Sequence, residues 1–236
     1  AAKDGTIAYT ASGNIPIRKN RESLVPVPGW NDDYEWERYI PHNELPTIIN
    51  PEEGFIATAN NKITDDSYPY HISNIWAQPY RQQRILDVLN SKETFTVEDM
   101  KDLQMDIKNL QAEEFVPIFL EQLSKQTLNK QEQEAITILS EWDFEDDQAE
   151  TAPLLFQTML LEISNILFGE KISDEMMELF EGKAQVIDEL IRHANEGNEG
   201  PWIANNGGLS EVVHDALKQT IDTLSERYGD NISKWQ

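Results

Sequence analysis

Apolar and polar positions change rhythm near residue 76. Before it, apolar residues come in runs too short for helices: Thr6-Ile7-Ala8-Tyr9, Ile15-Pro16-Ile17, Thr47-Ile48-Ile49 and Phe55-Ile56-Ala57-Thr58. Gly5, Gly13, Pro16, Pro26, Pro28, Gly29, Pro41, Pro46, Pro51 and Gly54 punctuate them. This pattern predicts short strands joined by turns. It holds too little apolar surface for a self-sufficient β domain. The strands are therefore expected to complete a sheet supplied by further sequence or by a partner chain, with edges that must be covered.

From Pro79 onward the spacing is helical. Pro79 suits a first helical turn, and Ile85, Leu86, Val88 and Leu89 follow it. Thr96-Val97-Glu98-Asp99 has the form of a capping box, with Met100, Leu103, Ile107 and Leu110 following on one face. Asn129 to Glu132 offers a second cap, ahead of Ile136, Leu139 and Trp142. Thr151 and Pro153 open the most apolar segment. Ser173 and Ser210 open two further helices, and Gly229 is a C-terminal stop. Asn195 to Gly208, rich in Gly and Asn, reads as a loop. The fold class expected is α+β and predominantly α-helical, with a strand and turn segment over 1–75 and a helical domain over 76–236.

Composition narrows the partners. The formal net charge is −24, a field that repels nucleic-acid phosphate and anionic lipid, so neither is an expected partner. Six Trp, eight Phe and seven Tyr need burial and argue for a packed core. With no cysteine there is neither a disulfide scaffold nor thiol chemistry. Residues Thr151 to Gly169 are the least charged stretch, but Glu162, Gln157, Ser164 and Asn165 interrupt it. A buried core helix is the expectation there, not a membrane span. The opening residues lack the basic cluster and apolar run of a signal peptide.

Generic motifs are sparse. His42, His71, His193 and His214 fall in no metal-binding spacing. The carboxylate runs Asp32-Asp33, Asp65-Asp66 and Glu145-Asp146-Asp147 do not match a calcium loop and read as solvated surface. Gly207-Gly208 lacks the residues of a phosphate loop, and no nucleophile elbow is present. His214, among Val212, Val213 and Leu217, reads as a structural histidine.

One stretch is more specific. Pro26-Val27-Pro28-Gly29-Trp30 leads to Tyr34-Glu35-Trp36-Glu37 and Tyr39-Ile40-Pro41. Asn50-Pro51-Glu52-Glu53-Gly54-Phe55-Ile56-Ala57-Thr58-Ala59-Asn60-Asn61 follows, then Tyr68-Pro69-Tyr70, Trp76, and Pro79-Tyr80-Arg81-Gln82-Gln83-Arg84-Ile85. These segments resemble the penicillin acylase (penicillin amidase) family of N-terminal-nucleophile hydrolases. The resemblance reaches along the whole chain and is strongest from 26 to 85.

The resemblance implies an N-terminal Ser that attacks an amide carbonyl, with its own α-amino group as base. It implies that Asn60 donates to the oxyanion, that Arg81 orients Asn60 and tunes the charge near the nucleophile, and that Asn61 contacts substrate or shapes the site. Arg84 is a weaker candidate at the same helix start. The parent implied is an exported (secreted or periplasmic) hydrolase of small-molecule acyl amides, cleaved autocatalytically from a precursor.

This chain departs from that pattern in three ways. Residue 1 is Ala, not the nucleophile. The small subunit, which lines much of the acyl pocket, is missing, as is the rest of the large subunit; both are expected partners. The family's structural calcium is not carried over, because the position nearest one aspartate ligand is Tyr70, with Asp65 or Asp66 as substitutes nearby. No cofactor is expected otherwise. The chain is read as an internal fragment of the large subunit, inactive alone. Two alternatives remain: an acylase for acyl-homoserine lactones or other amides, and a non-catalytic helical binding module derived from the family.

Overall fold

A computed structural model describes residues 1–20, 24, 26–180 and 182–235. Gln236 lies outside them. The contacts divide the chain into two compact units, Ala1–Glu93 and Thr94–Gln236. The fold is α+β and predominantly helical, with few short strands. The first long helix, placed in the helical domain by the sequence reading, falls within the first unit.

The first unit holds two separate antiparallel pairs. Strands β1 (Ala8–Thr10) and β4 (Thr47–Ile49) pair with Tyr9 opposite Ile48. Strands β2 (Pro16–Arg18) and β3 (Trp36–Tyr39) pair with Ile17 opposite Arg38 and a bulge after Ile17. Asn50 lengthens the first pair by one rung: its Oδ1 accepts from the Ile7 N–H at 2.9 Å, and its own N–H donates to Ile7 O at 2.9 Å. It does so at φ 47°, a left-handed backbone that Asn tolerates. Among the described residues of this unit only Ile40, Leu45, Ala59 and Asn61 are buried. Trp36 and Ile49 are 58% and 63% exposed, so these strand faces lack a covering layer within the unit. Helix α1 (Tyr80–Asn90) ends it.

The strand expected over Phe55–Thr58 does not form. The segment joins no ladder among the described residues. A strand needs a second edge to pair with, and within this unit the segment instead meets the start of α1.

The second unit is a helical bundle of α2 (Val97–Gln104), α3 (Leu110–Leu123), α4 (Lys130–Glu141), α5 (Thr151–Phe168), α6 (Asp174–Leu179), α7 (Lys183–Asn195), α8 (Gly200–Ala204) and α9 (Leu209–Tyr228). Both expected capping boxes close reciprocally. Thr96 and Asp99 exchange bonds at 2.7 and 3.2 Å, and Asn129 and Glu132 do so at 2.8 and 3.0 Å. The apolar face expected to run from Met100 to Leu110 is broken: α2 stops at Gln104, and Asn109 caps a new helix by accepting from the Ala112 N–H at 2.9 Å. Pro117 sits inside α3 on its exposed side, away from the buried Phe115 and Phe119.

The core lies between α5 and α9, flanked by α3 and α4. Helices α5 and α9 pack together, and Leu155, Phe156, Met159, Ile163 and Leu167 of α5 and Val213 and Leu217 of α9 have no solvent access. Phe156 packs its ring 6.1 Å from Phe119 and 5.9 Å from Trp142. Helix α5 is the one described helix with the length and composition of a membrane span. Its buried Glu162 accepts from Asn165 and Thr223 at 3.0 and 3.1 Å, as a core helix with a satisfied carboxylate would.

Helix α9 begins one residue before Ser210. Glu199 explains the shift: its carboxylate reaches across α8 to accept from the Leu209 N–H at 2.9 Å. An anion at a helix N-terminus also suits the dipole. Ser210 instead donates its hydroxyl to Gln122 O at 3.0 Å. Helix α8 occupies part of the expected 195–208 loop, and Gly229 ends α9 as expected. Gly208 has φ 91° and ψ 167°, a region essentially restricted to glycine, and an added Cβ would lie 3.0 Å from Glu199 Oε1. Gly208→Ala is therefore expected to destabilise by about 1–3 kcal/mol. A urea-unfolding midpoint equal to that of the parent chain would contradict this.

Candidate active site

The segment 57–61 and the first turn of α1 come together in the first unit. Asn60 has φ 61°, which throws the chain into a tight reversal between two engaged neighbours. Its carbonyl accepts from the Ala77 N–H at 2.9 Å, which fixes it to the stretch before α1. Arg81 lies in the first turn of α1, where a cation opposes the helix dipole. Its guanidinium is used elsewhere: Nη2 donates to Ala59 O and to Asn60 Oδ1, both at 3.0 Å.

That contact determines what Asn60 can do. A guanidinium only donates, so it must meet the amide oxygen and not the nitrogen. The Nδ2 end is thereby aimed away from Arg81 as a donor. The guanidinium charge beside Oδ1 also polarises the amide and strengthens its N–H groups. The Asn60 side chain is exposed in this chain.

Asn61 faces the other way. It is 6% exposed; its Oδ1 accepts from Ala59 N–H at 3.0 Å and its Nδ2 donates to Lys62 O at 2.9 Å. Its amide braces the turn that presents Asn60. Gln82, not singled out from sequence, reaches Ala57 O from α1 over a long 3.5 Å contact. Arg84 lies further along α1 and is half-buried. The Ala59 and Ala77 backbone groups that hold Asn60 carry no side-chain signal, so no sequence pattern could have named them.

A cleft of ≈ 520 Å³ opens in the same unit, lined in part by Tyr9, Thr47, Ile48, Thr58, Asn61 and Gln82. Neither Asn60 nor Arg81 lines it.

At the positions nearest the calcium site that the family resemblance brings in, the carboxylates are held by protein donors. Among the described residues no group of three or more His, Cys, Asp or Glu could hold a metal ion. Asp65 Oδ1 accepts from the N–H and hydroxyl of Ser67 at 2.8 and 2.5 Å. Asp66 pairs with Lys62 at 2.6 Å. Tyr70 donates its phenol to Glu44, which raises the phenol above its usual value.

The Ser67 hydroxyl and then the Ser67 N–H hold the Asp65 carboxyl below its ordinary 3.8. A depressed acid stabilises its turn above the unfolded value and loses that contribution as pH falls through the folded value. The Ser67 amide resonance should thus keep its bonded position until the pH drops below 3.8. A titration midpoint at or above that value would refute the contact.

Comparison with known proteins bears on the family of the chain as a whole. The whole chain, residues 1–236, matches the family described as penicillin amidase. Penicillin acylase 2 proenzyme of Pseudomonas sp. (strain SE83) is 34% identical over 102 residues, covering 43% of this chain and 13% of that protein. Penicillin G acylase of Escherichia coli is 26% identical over 264 aligned positions, covering 99% of this chain and 31% of the relative. Acyl-homoserine lactone acylase QuiP of Pseudomonas aeruginosa is 29% identical over 109 residues, or 46% of this chain and 13% of the relative. Among solved structures, a thermostable penicillin G acylase from Alcaligenes faecalis superposes with TM-score 0.72 at 20% identity, covering all of this chain and 47% of that one. The chain thus spans less than half the length of the relatives it matches.

Proposed function

The chain belongs to the penicillin amidase family, and on that premise we propose that it is the part of an amide hydrolase that supplies the oxyanion-hole donor, Asn60. The observation that carries this reading is the Arg81 contact at 3.0 Å, which holds Asn60 Oδ1 and leaves Nδ2 to donate. The nucleophile, an N-terminal Ser with its own amine as base, comes from sequence beyond this chain. As it attacks the amide carbonyl, negative charge builds on the carbonyl oxygen. A preorganised N–H aimed at that oxygen stabilises it without reorganisation. Arg81 acts through Asn60 as a positioning residue, and Asn61 braces the turn.

The working partner is the remainder of the processed enzyme, small subunit and rest of the large subunit, in an exported protein. The substrate class is a small-molecule acyl amide. Acyl-homoserine lactones are the second reading, favoured by the matches to acylases of that type. The acyl pocket that would choose between them lies outside this chain.

The test is an assay with a chromogenic acyl amide, using the chain alone and the processed parent. The parent should turn over and the chain alone should not. Turnover by the chain alone, abolished by Asn60→Ala, would reveal a nucleophile within residues 1–236 and overturn the fragment reading.

A further inference from the structure

We infer that the loop from Lys62 to Tyr70 is clamped without a metal: two phenols gripping Glu44 hold it to the rest of the unit. Tyr70 donates its hydroxyl to the Glu44 carboxylate, and Tyr68 donates its hydroxyl to the Glu44 backbone carbonyl at 2.8 Å. The two rings meet edge to face with centroids 5.8 Å apart, so they hold one another in place as well. Glu44 closes a short 3-10 turn, His42–Glu44, directly before the buried Leu45. The clamp therefore ties the loop to a turn 24 and 26 residues earlier in the chain.

The donor chemistry opposes a cation at the same place. Calcium takes about six to eight oxygen ligands. The carboxylates of this loop already have donors. Lys62 Nζ holds Asp66 at 2.6 Å, and Ser67 holds Asp65 with both its hydroxyl and its N–H. The ammonium would repel a second cation, and the Glu44 carboxylate is already engaged by the Tyr70 hydroxyl. The Lys62–Asp66 pair is too exposed, at 52% and 96%, to hold the loop alone. The phenol–carboxylate bond is charge-assisted and carries more of the load.

This inference rests on the family assignment and not on the catalytic reading, because its test measures no turnover. Hydrogen–deuterium exchange is followed over residues 42–46 and 65–72, in the chain and in the processed parent, with EDTA or with millimolar calcium chloride. Exchange should be identical in the two conditions. The Tyr68→Phe/Tyr70→Phe double variant keeps both rings and should speed exchange in these segments by about tenfold or more. Exchange in α5 should not change, which shows that the bundle remains folded. Glu44→Ala should speed exchange in the same segments. Calcium-slowed exchange there, a one-site calcium titration heat, or unaltered exchange in the double variant would each overturn the clamp.

Discussion

Replacing Asn60 with alanine in the processed parent enzyme is expected to lower kcat by about 100- to 1,000-fold, the range seen when one oxyanion donor is removed. KM should change little, because the donor meets charge that develops only in the transition state. Alanine confounds two effects, since position 60 also needs φ 61°. Asn60→Gly keeps the backbone and removes only the donor, so it should show the same loss. Asn60→Asp keeps the backbone tolerance but places an anion where the oxyanion forms, and should be worse than either. Arg81→Lys keeps the charge but loses the planar guanidinium that meets Ala59 O and Asn60 Oδ1 together. It should fall between the parent and Asn60→Ala. Single-turnover kinetics with a chromogenic amide separate these cases. A Gly variant with parental kcat would remove Asn60 from the mechanism.

The largest stability loss is expected at Trp235. Its ring has no solvent access, and its Nε1 donates to Gly229 O at 2.7 Å. Its carbonyl accepts from Thr151 Oγ1 at 2.8 Å, which ties the last turn to the first residue of α5. Trp235→Ala opens a cavity where the indole is now fully buried, and is expected to cost about 3–5 kcal/mol. Trp235→Phe refills most of that space and forfeits the indole hydrogen bond, for a smaller loss. Urea unfolding followed by far-ultraviolet circular dichroism reads both. Equal midpoints for Trp235→Ala and the parent chain would show that this turn does not belong to the cooperative core.

What was legible in the sequence is mostly what closes locally. The boxes at Thr96/Asp99 and Asn129/Glu132, and the stop at Gly229, are made by groups within four residues, so their pattern is their geometry. Helix α9 started early because its N-terminal partner, Glu199, lies ten residues away across another helix. The strand expected over Phe55–Thr58 has the right composition, but pairing is non-local and the edge it needs is not within the described residues. The break between α2 and α3 was hidden because Ile107 and Leu110 continue the apolar spacing, while Ile107 is 43% exposed. At the site, Asn60 and Arg81 were named through their flanking pattern. Their bond spans 21 residues, and no spacing rule would have joined them. The inward turn of Asn61 was equally hidden, since its partners are backbone groups.

Two demands fall on one residue at position 60. The left-handed backbone favours glycine, asparagine and aspartate. On the proposed function, the oxyanion asks for a short neutral amide. Asparagine alone meets both, so mutational drift there is closed from two sides. A descendant released from the reaction would lose only one of those constraints. It could wander to glycine or aspartate while keeping the turn intact. Glycine or aspartate at this position in a relative would therefore mark a lineage that kept the fold and abandoned the chemistry.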